Sequence, residues 1–154
     1  MKARELMTQP PQTCAPNTDL AEASRRMKQS GCGTLVVVDG HGRTVGILTD
    51  RDLALAVGDR RRNAAAAPVA TAMSHGVHSC RPDDDLAQVV QQMSAARVRR
   101  LPVINAAGDV KGVISIDDII LWAVVDGTVP SGDVINALRT ICHAHWPVAE
   151  YATE

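Results

Sequence analysis

The chain has 154 residues, 45% hydrophobic and 21% charged, with a formal net charge of −1. That length suits one domain or two small halves sharing a core. The near-neutral balance excludes the broad basic field of a nucleic-acid binder; Phe is absent, so stacking platforms for bases are scarce; and no apolar run approaches the roughly 20 residues of a membrane span.

The N-terminal stretch MKARELMTQPP has no apolar core of a secretory signal. Cys14, Cys32, Cys80 and Cys142 form no CxxC pair. Both features suit a cytoplasmic protein with reduced thiols. In chain order, Gln12–Cys14 reads as a short extended piece ahead of Pro16. Asn17, Thr18 and Asp19 supply helix N-cap chemistry. Leu20, Ala23 and Met27 follow at helical spacing, and Gly31 suits the C-cap. Leu35–Val38 and Val45–Leu48 read as strands flanking the turn DGHG, and Asp50–Val57 as a helix.

The same series then returns. Shifted by 66 residues without a gap, positions 6–57 match 72–123 at 13 of 52 places, including Met7/Met73, Cys14/Cys80, Gly46/Gly112 and Asp52/Asp118. The second copy places an extended piece at His78–Cys80, a helix on Leu86, Val89, Val90 and Met93, strands at Leu101–Ile104 and Val110–Ile114, and a helix over Ile116–Val124. Each copy is β-α-β-β-α, too small to bury a core alone. Strands that are apolar on both faces need cover on both sides. The expected fold is therefore α/β (α+β), two β-α-β-β-α repeats related by a pseudo-two-fold axis. A C-terminal helix at 131–144 follows, its apolar face carrying Val134, Leu138 and Ile141.

Both copies end their second strand in the pattern G-h-h-[T/S]-x-x-D: GILTDRD at 46–52 and GVISIDD at 112–118. Two readings fit. Thr49 and Ser115 are N-caps with Asp52 and Asp118 closing capping boxes. Alternatively, a hydroxyl, a carboxylate able to accept from a vicinal diol, and a helix N-terminus that favours anions form a nucleotide clamp.

The ungapped duplication, the RRLPV run at 99–103 and the GILTDRD ending resemble a pair of cystathionine-β-synthase-type (CBS) domains, the Bateman module. The likeness is to stand-alone bacterial two-CBS proteins, some tied to stress responses, and spans residues 1–125. It implies CBS repeats at 1–62 and 63–127, a helical tail at 128–154, and a regulatory module without catalytic activity. The resemblance further implies an adenosine ligand (AMP, ADP, ATP or S-adenosylmethionine) in clefts between the repeats, with no other cofactor required. The family's ribose carboxylate falls on Asp52 and Asp118, and its hydroxyl partner on Thr49 and Ser115. The family's phosphate ligands fall on Arg99 and Arg100, with Arg51 and Arg97 as further candidates. Adenine contacts fall on Thr13–Ala15 and Ser79–Arg81, which include Cys14 and Cys80, and on Cys32–Leu35, with Thr34, and Val98–Pro102. The first repeat departs from the pattern: Cys32-Gly33-Thr34 stands where the second has Val98-Arg99-Arg100, and Pro102 has no counterpart. Its cleft either holds less charge or borrows arginines from the other copy. The resemblance also implies a homodimer, and the absence of an output domain implies a protein partner not identified by the sequence.

Other side chains carry weaker signals. Arg60–Arg62 is either an anion patch or a solvated linker run. Cys14 and Cys80 are either a symmetric redox or metal pair or two small buried residues. Cys142, His143 and His145, and separately His75 and His78, fall short of the four ligands that zinc takes, so no metal site is expected. No nucleophilic triad, P-loop or GxGxxG is present. A rival reading assigns the chain to ligand-free assembly through its tail and Trp146, and a third to metal or redox response.

Overall fold

The computed structural model describes residues 1–58 and 66–145. The Arg60–Arg62 run, the 62/63 boundary and Trp146 lie outside the described residues. The chain divides into two compact units, each built on one repeat.

The unit of the first repeat comprises Gln9–Val77 with Ile104–Lys111. Strand β1 (Thr13–Cys14) pairs in parallel with β2 (Thr34–Val38), and β2 pairs antiparallel with β3 (Thr44–Thr49). Helix α2 (Leu20–Ser30) starts where Asp19 accepts the Glu22 N–H at 2.6 Å and stops at Gly31, φ 63°. Both caps are the ones the sequence calls for. Helix α3 (Asp50–Gly58) leaves the end of β3. Alternation along β2 sends Leu35 and Val37 into a core with Leu20, Ala23, Met27, Leu48 and Leu53. Val36 is fully buried yet belongs to the opposite face. Each buried aliphatic side chain contributes about 1.5–3 kcal/mol.

The unit of the second repeat comprises Met1–Thr8, His78–Val103 and the chain from Gly112. Its opening element, α1 (Ala3–Leu6), has no counterpart in the sequence reading. Ala3 N–H donates to Asp84 O at 2.9 Å, Lys2 pairs with Asp85 at 3.0 Å, and Arg4 pairs with Asp83. Thus residues 1–8 dock on the second repeat, while Val69 and Met73, which open the second repeat's sequence, pack in the unit of the first. Helix α4 (Leu86–Ala96) begins in a capping box between Asp85 and Gln88. Strands β4 (Arg100–Ile104) and β5 (Val110–Ser115) pair, and Cys80 forms a parallel bridge to Val103. His78 and Ser79 stay outside any strand, so the expected extended piece shrinks to that one bridge.

The helix expected over Ile116–Val124 is not uniform. It is a single α-turn, α5 (Ile116–Asp118), running into a π-helical segment at Ile119–Val124. Apolar spacing announces a helix but does not separate i→i+4 from i→i+5 bonding. Helix α6 (Ser131–His145) completes this unit. Val134, Ala137 and Ile141 are buried in the core of Leu86, Val89 and Met93, and Leu138 packs at its edge. The tail is therefore an integral layer of the second unit. Among the described residues no helix is long and apolar enough to cross a membrane.

Candidate functional site

Both strand-to-helix junctions adopt one geometry. In the first repeat, Thr49 N–H and Thr49 Oγ1 both donate to Asp52 Oδ2, at 2.8 and 2.6 Å, and Asp52 N–H donates back to Thr49 Oγ1 at 3.3 Å. In the second, Ser115 N–H and Oγ donate to Asp118 Oδ2 at 2.9 and 2.6 Å, and Asp118 N–H donates to Ser115 Oγ at 3.1 Å. These are capping boxes, so the structural reading of the motif holds. They do not exhaust the carboxylates. Every protein bond falls on Oδ2, and among the described residues Oδ1 of Asp52 and of Asp118 accepts none. Both aspartates are half-buried. A capped carboxylate with a free, oriented oxygen can still accept from a hydroxyl pair.

The glycine that opens the motif has its own cause. A Cβ on Gly112 would lie 2.6 Å from Met7 Sδ and 2.8 Å from Thr8 O, and one on Gly46 would lie 2.6 Å from Met73 Sδ and 3.0 Å from Ser74 O. Thr8 and Val113 exchange backbone bonds at 2.9 and 3.1 Å, and Ser74 and Ile47 do so at 2.8 and 3.3 Å. The Met/Gly pairs thus seat an extra backbone segment along β5 and β3, just ahead of each hydroxyl. Both pairs are identities of the duplication, so the signal was in the sequence without its meaning.

The other candidate residues sort by strand face. Thr34 lies directly opposite Thr49 in the β2/β3 register, so both side chains share a face. Thr34 is 7% exposed, and its Oγ1 has no hydrogen-bond partner. Cys32, half-buried, donates its thiol to Thr34 O at 3.3 Å. Thr13 and Cys14 pair with Val36 and Val37, and Thr13 O accepts from Arg26 Nη1 at 3.2 Å. Burial pushes the Cys14 thiol up to about 11, opposed by nearby Arg26. Burial, with Asp84 adding to it, pushes Cys80 up to about 12. Both cysteines are therefore buried strand thiols, and among the described residues no group of three His, Cys, Asp or Glu side chains could hold a metal ion.

The arginine pair divides. Leu101 and Val103 enter the helix-packed core, so alternation along β4 places Arg100 and the buried Pro102 on the other face. By the duplication this is the face of Thr34, and hence of Thr49. Arg100 is half-buried and has no side-chain partner among the described residues. Arg99 goes the opposite way: its Nη2 donates to Cys142 Sγ on α6 at 3.3 Å. Only its backbone reaches the junction, where Arg99 O accepts the Ile116 N–H at 2.9 Å. The Cys142 contact spans 43 residues, and nothing local announces it. Arg51 is exposed on the first turn of α3. Arg97 is exposed at the end of α4 with φ 55°, the left-handed position that Gly31 fills in the first repeat.

A family model for the CBS domain matches residues 3–59 and 69–125, and the chain belongs to the CBS domain family as a tandem pair. The CBS domain-containing protein YhcV of Bacillus subtilis is 33% identical to it over 75% of this chain and 81% of its own length. The CBS domain protein TA0289 of Thermoplasma acidophilum, whose function is unknown, superposes with a TM-score of 0.78 at 21% identity, covering 91% of this chain and 75% of that one. The CBS domain protein PAE2072 of Pyrobaculum aerophilum, complexed with AMP, superposes at 0.74 and 21% identity, covering 82% and 97%. At that identity the two structures speak to the fold.

Proposed function

We propose that the chain is a regulatory module that binds an adenosine nucleotide at the Thr49–Asp52 and Ser115–Asp118 junctions. The observation that carries this reading is the free Oδ1 of each capped aspartate, held beside a helix N-terminus. In this reading Asp52 and Asp118 accept from the ribose hydroxyls. Arg100 meets the phosphate from the face it shares with the hydroxyl. The strand backbones around Thr13–Cys14, Cys32, Cys80 and Pro102 receive the base. AMP in the PAE2072 structure supports an adenosine phosphate as the ligand class. Arg99 contributes through its backbone, with its guanidinium engaged by the tail.

The module carries no reaction of its own in this reading, and its output passes to a protein partner. The four free cysteines suit the reducing cytoplasm. Leu121, Trp122 and Val125, all more than 60% exposed on one helical segment, offer a face for homodimerisation. A thermal-shift series with AMP, ADP, ATP and S-adenosylmethionine tests the reading. At a hundred times its dissociation constant a ligand adds about 2.7 kcal/mol to the folded state.

A further inference from the structure

The two repeats share a clamp but differ at one position beside it. Thr34 stands opposite Thr49, and its counterpart after the shift of 66 is Arg100. Thr34 is more than nine-tenths buried, and its Oγ1 is unpartnered. A buried hydroxyl without a partner is uncommon and costly, and it is relieved by a ligand that supplies the missing bond. No basic side chain lies at residues 32–34. The cation nearest in sequence to Asp52, Arg51, is exposed and sits between Asp50 and Asp52. A phosphate placed there would face the Asp52 carboxylate without a half-buried cation beside it, an uncompensated pairing of like charges. In the second repeat Arg100 supplies that cation, half-buried and without a side-chain partner among the described residues.

We propose that position 34 and its counterpart 100 set which ligand each repeat accepts. Thr34 makes the first repeat a receptor for adenosine lacking phosphate, with the orphan hydroxyl bonding the ligand's sugar or 5′ group. Arg100 makes the second a receptor for adenosine 5′-phosphate. The inference rests on the nucleotide reading above and assigns the two junctions different ligands.

Titration calorimetry of the full chain with adenosine and with AMP tests it. Asp118→Ala leaves the first repeat and Asp52→Ala the second; Asp118→Asn and Asp52→Asn, which keep a carbonyl acceptor in each box, replace them if the alanine proteins melt early. The Asp52-substituted protein is expected to prefer AMP over adenosine by at least about tenfold, the scale of one charge-assisted bond. Adding Arg100→Gln is expected to erase that preference. The Asp118-substituted protein is expected to bind adenosine at least as well as AMP, and adding Thr34→Val, nearly isosteric, to weaken adenosine about tenfold. An AMP preference residing in the Asp118-substituted protein, or one that survives Arg100→Gln, overturns the inference while leaving the nucleotide reading standing. Failure of both ligands to bind the unsubstituted chain overturns that reading itself.

Discussion

Ser115 Oγ donates to Asp118 Oδ2 at 2.6 Å, and Asp118 N–H returns a bond to Ser115 Oγ at 3.1 Å, leaving Asp118 Oδ1 without a protein donor. One side chain thus closes a helix start with one oxygen and offers the other outward. The two roles can be separated experimentally. Ser115→Ala removes the cap hydroxyl and is expected to cost about 1 kcal/mol of stability. A urea denaturation series measures that cost. An unchanged midpoint would mean that the box contributes nothing to holding α5.

The glycines of the motif answer to packing against the preceding segment. Gly112→Ala is expected to destabilise the fold by about 1–3 kcal/mol, because the new methyl meets Met7 Sδ and Thr8 O. Met7→Ala is expected to relieve little of it, since Thr8 O is backbone only 2.8 Å away. Gly46→Ala is expected to cost less, and Met73→Ala to recover more, because the backbone neighbour there stands at 3.0 Å. Chemical denaturation of the four single and two double variants checks the ranking.

Arg97 holds the left-handed conformation that Gly31 holds in the other repeat. A side chain in that region costs about 1 kcal/mol relative to glycine. Arg97→Gly is therefore expected to raise the melting temperature by about 2–4 °C for a chain this size, and Gly31→Ala to lower it. A scan showing Arg97→Gly melting lower would mean that the guanidinium earns a compensating contact.

Cys14 and Cys80 have thiols pushed up to about 11 and about 12 by burial, from an ordinary value of 9.0. Raised folded values mean that the folded state keeps its protons longer than the unfolded chain. Their contribution is complete below pH 9 and is lost as pH climbs towards 11 and 12. Stability is expected to fall across that alkaline window, and less steeply in Cys14→Ala/Cys80→Ala protein compared with its own neutral value. At pH 8 a thiol reagent is expected to modify half-buried Cys32 and Cys142 first, and Cys14 and Cys80 only on unfolding. Mass spectrometry of the labelled peptides reads the order.

Much of the fold was legible because the chain states it twice. Asp19, Gly31 and the strand pairs flanking DGHG and NAAG carry local signals of capping and turns that the structure repeats. The junction motif was legible for the same reason. The exchange of opening segments was not: Met7 and Met73 appear as identities, but only the fold shows each seated on a glycine. Nor could sequence divide Arg99 from Arg100, since strand face depends on which neighbours form the core. The π-helical stretch after Asp118 escaped because apolar periodicity tolerates either hydrogen-bond pattern.

The most direct test of the central claim is the melting temperature of the full chain with and without millimolar AMP, measured beside Asp118→Ala and Asp52→Ala. A shift of several degrees in the unsubstituted protein is expected, with the Asp118→Ala protein, still folded, failing to respond. A melt unmoved by AMP, or moved equally in all three proteins, would contradict the account and leave the two junctions as helix caps alone.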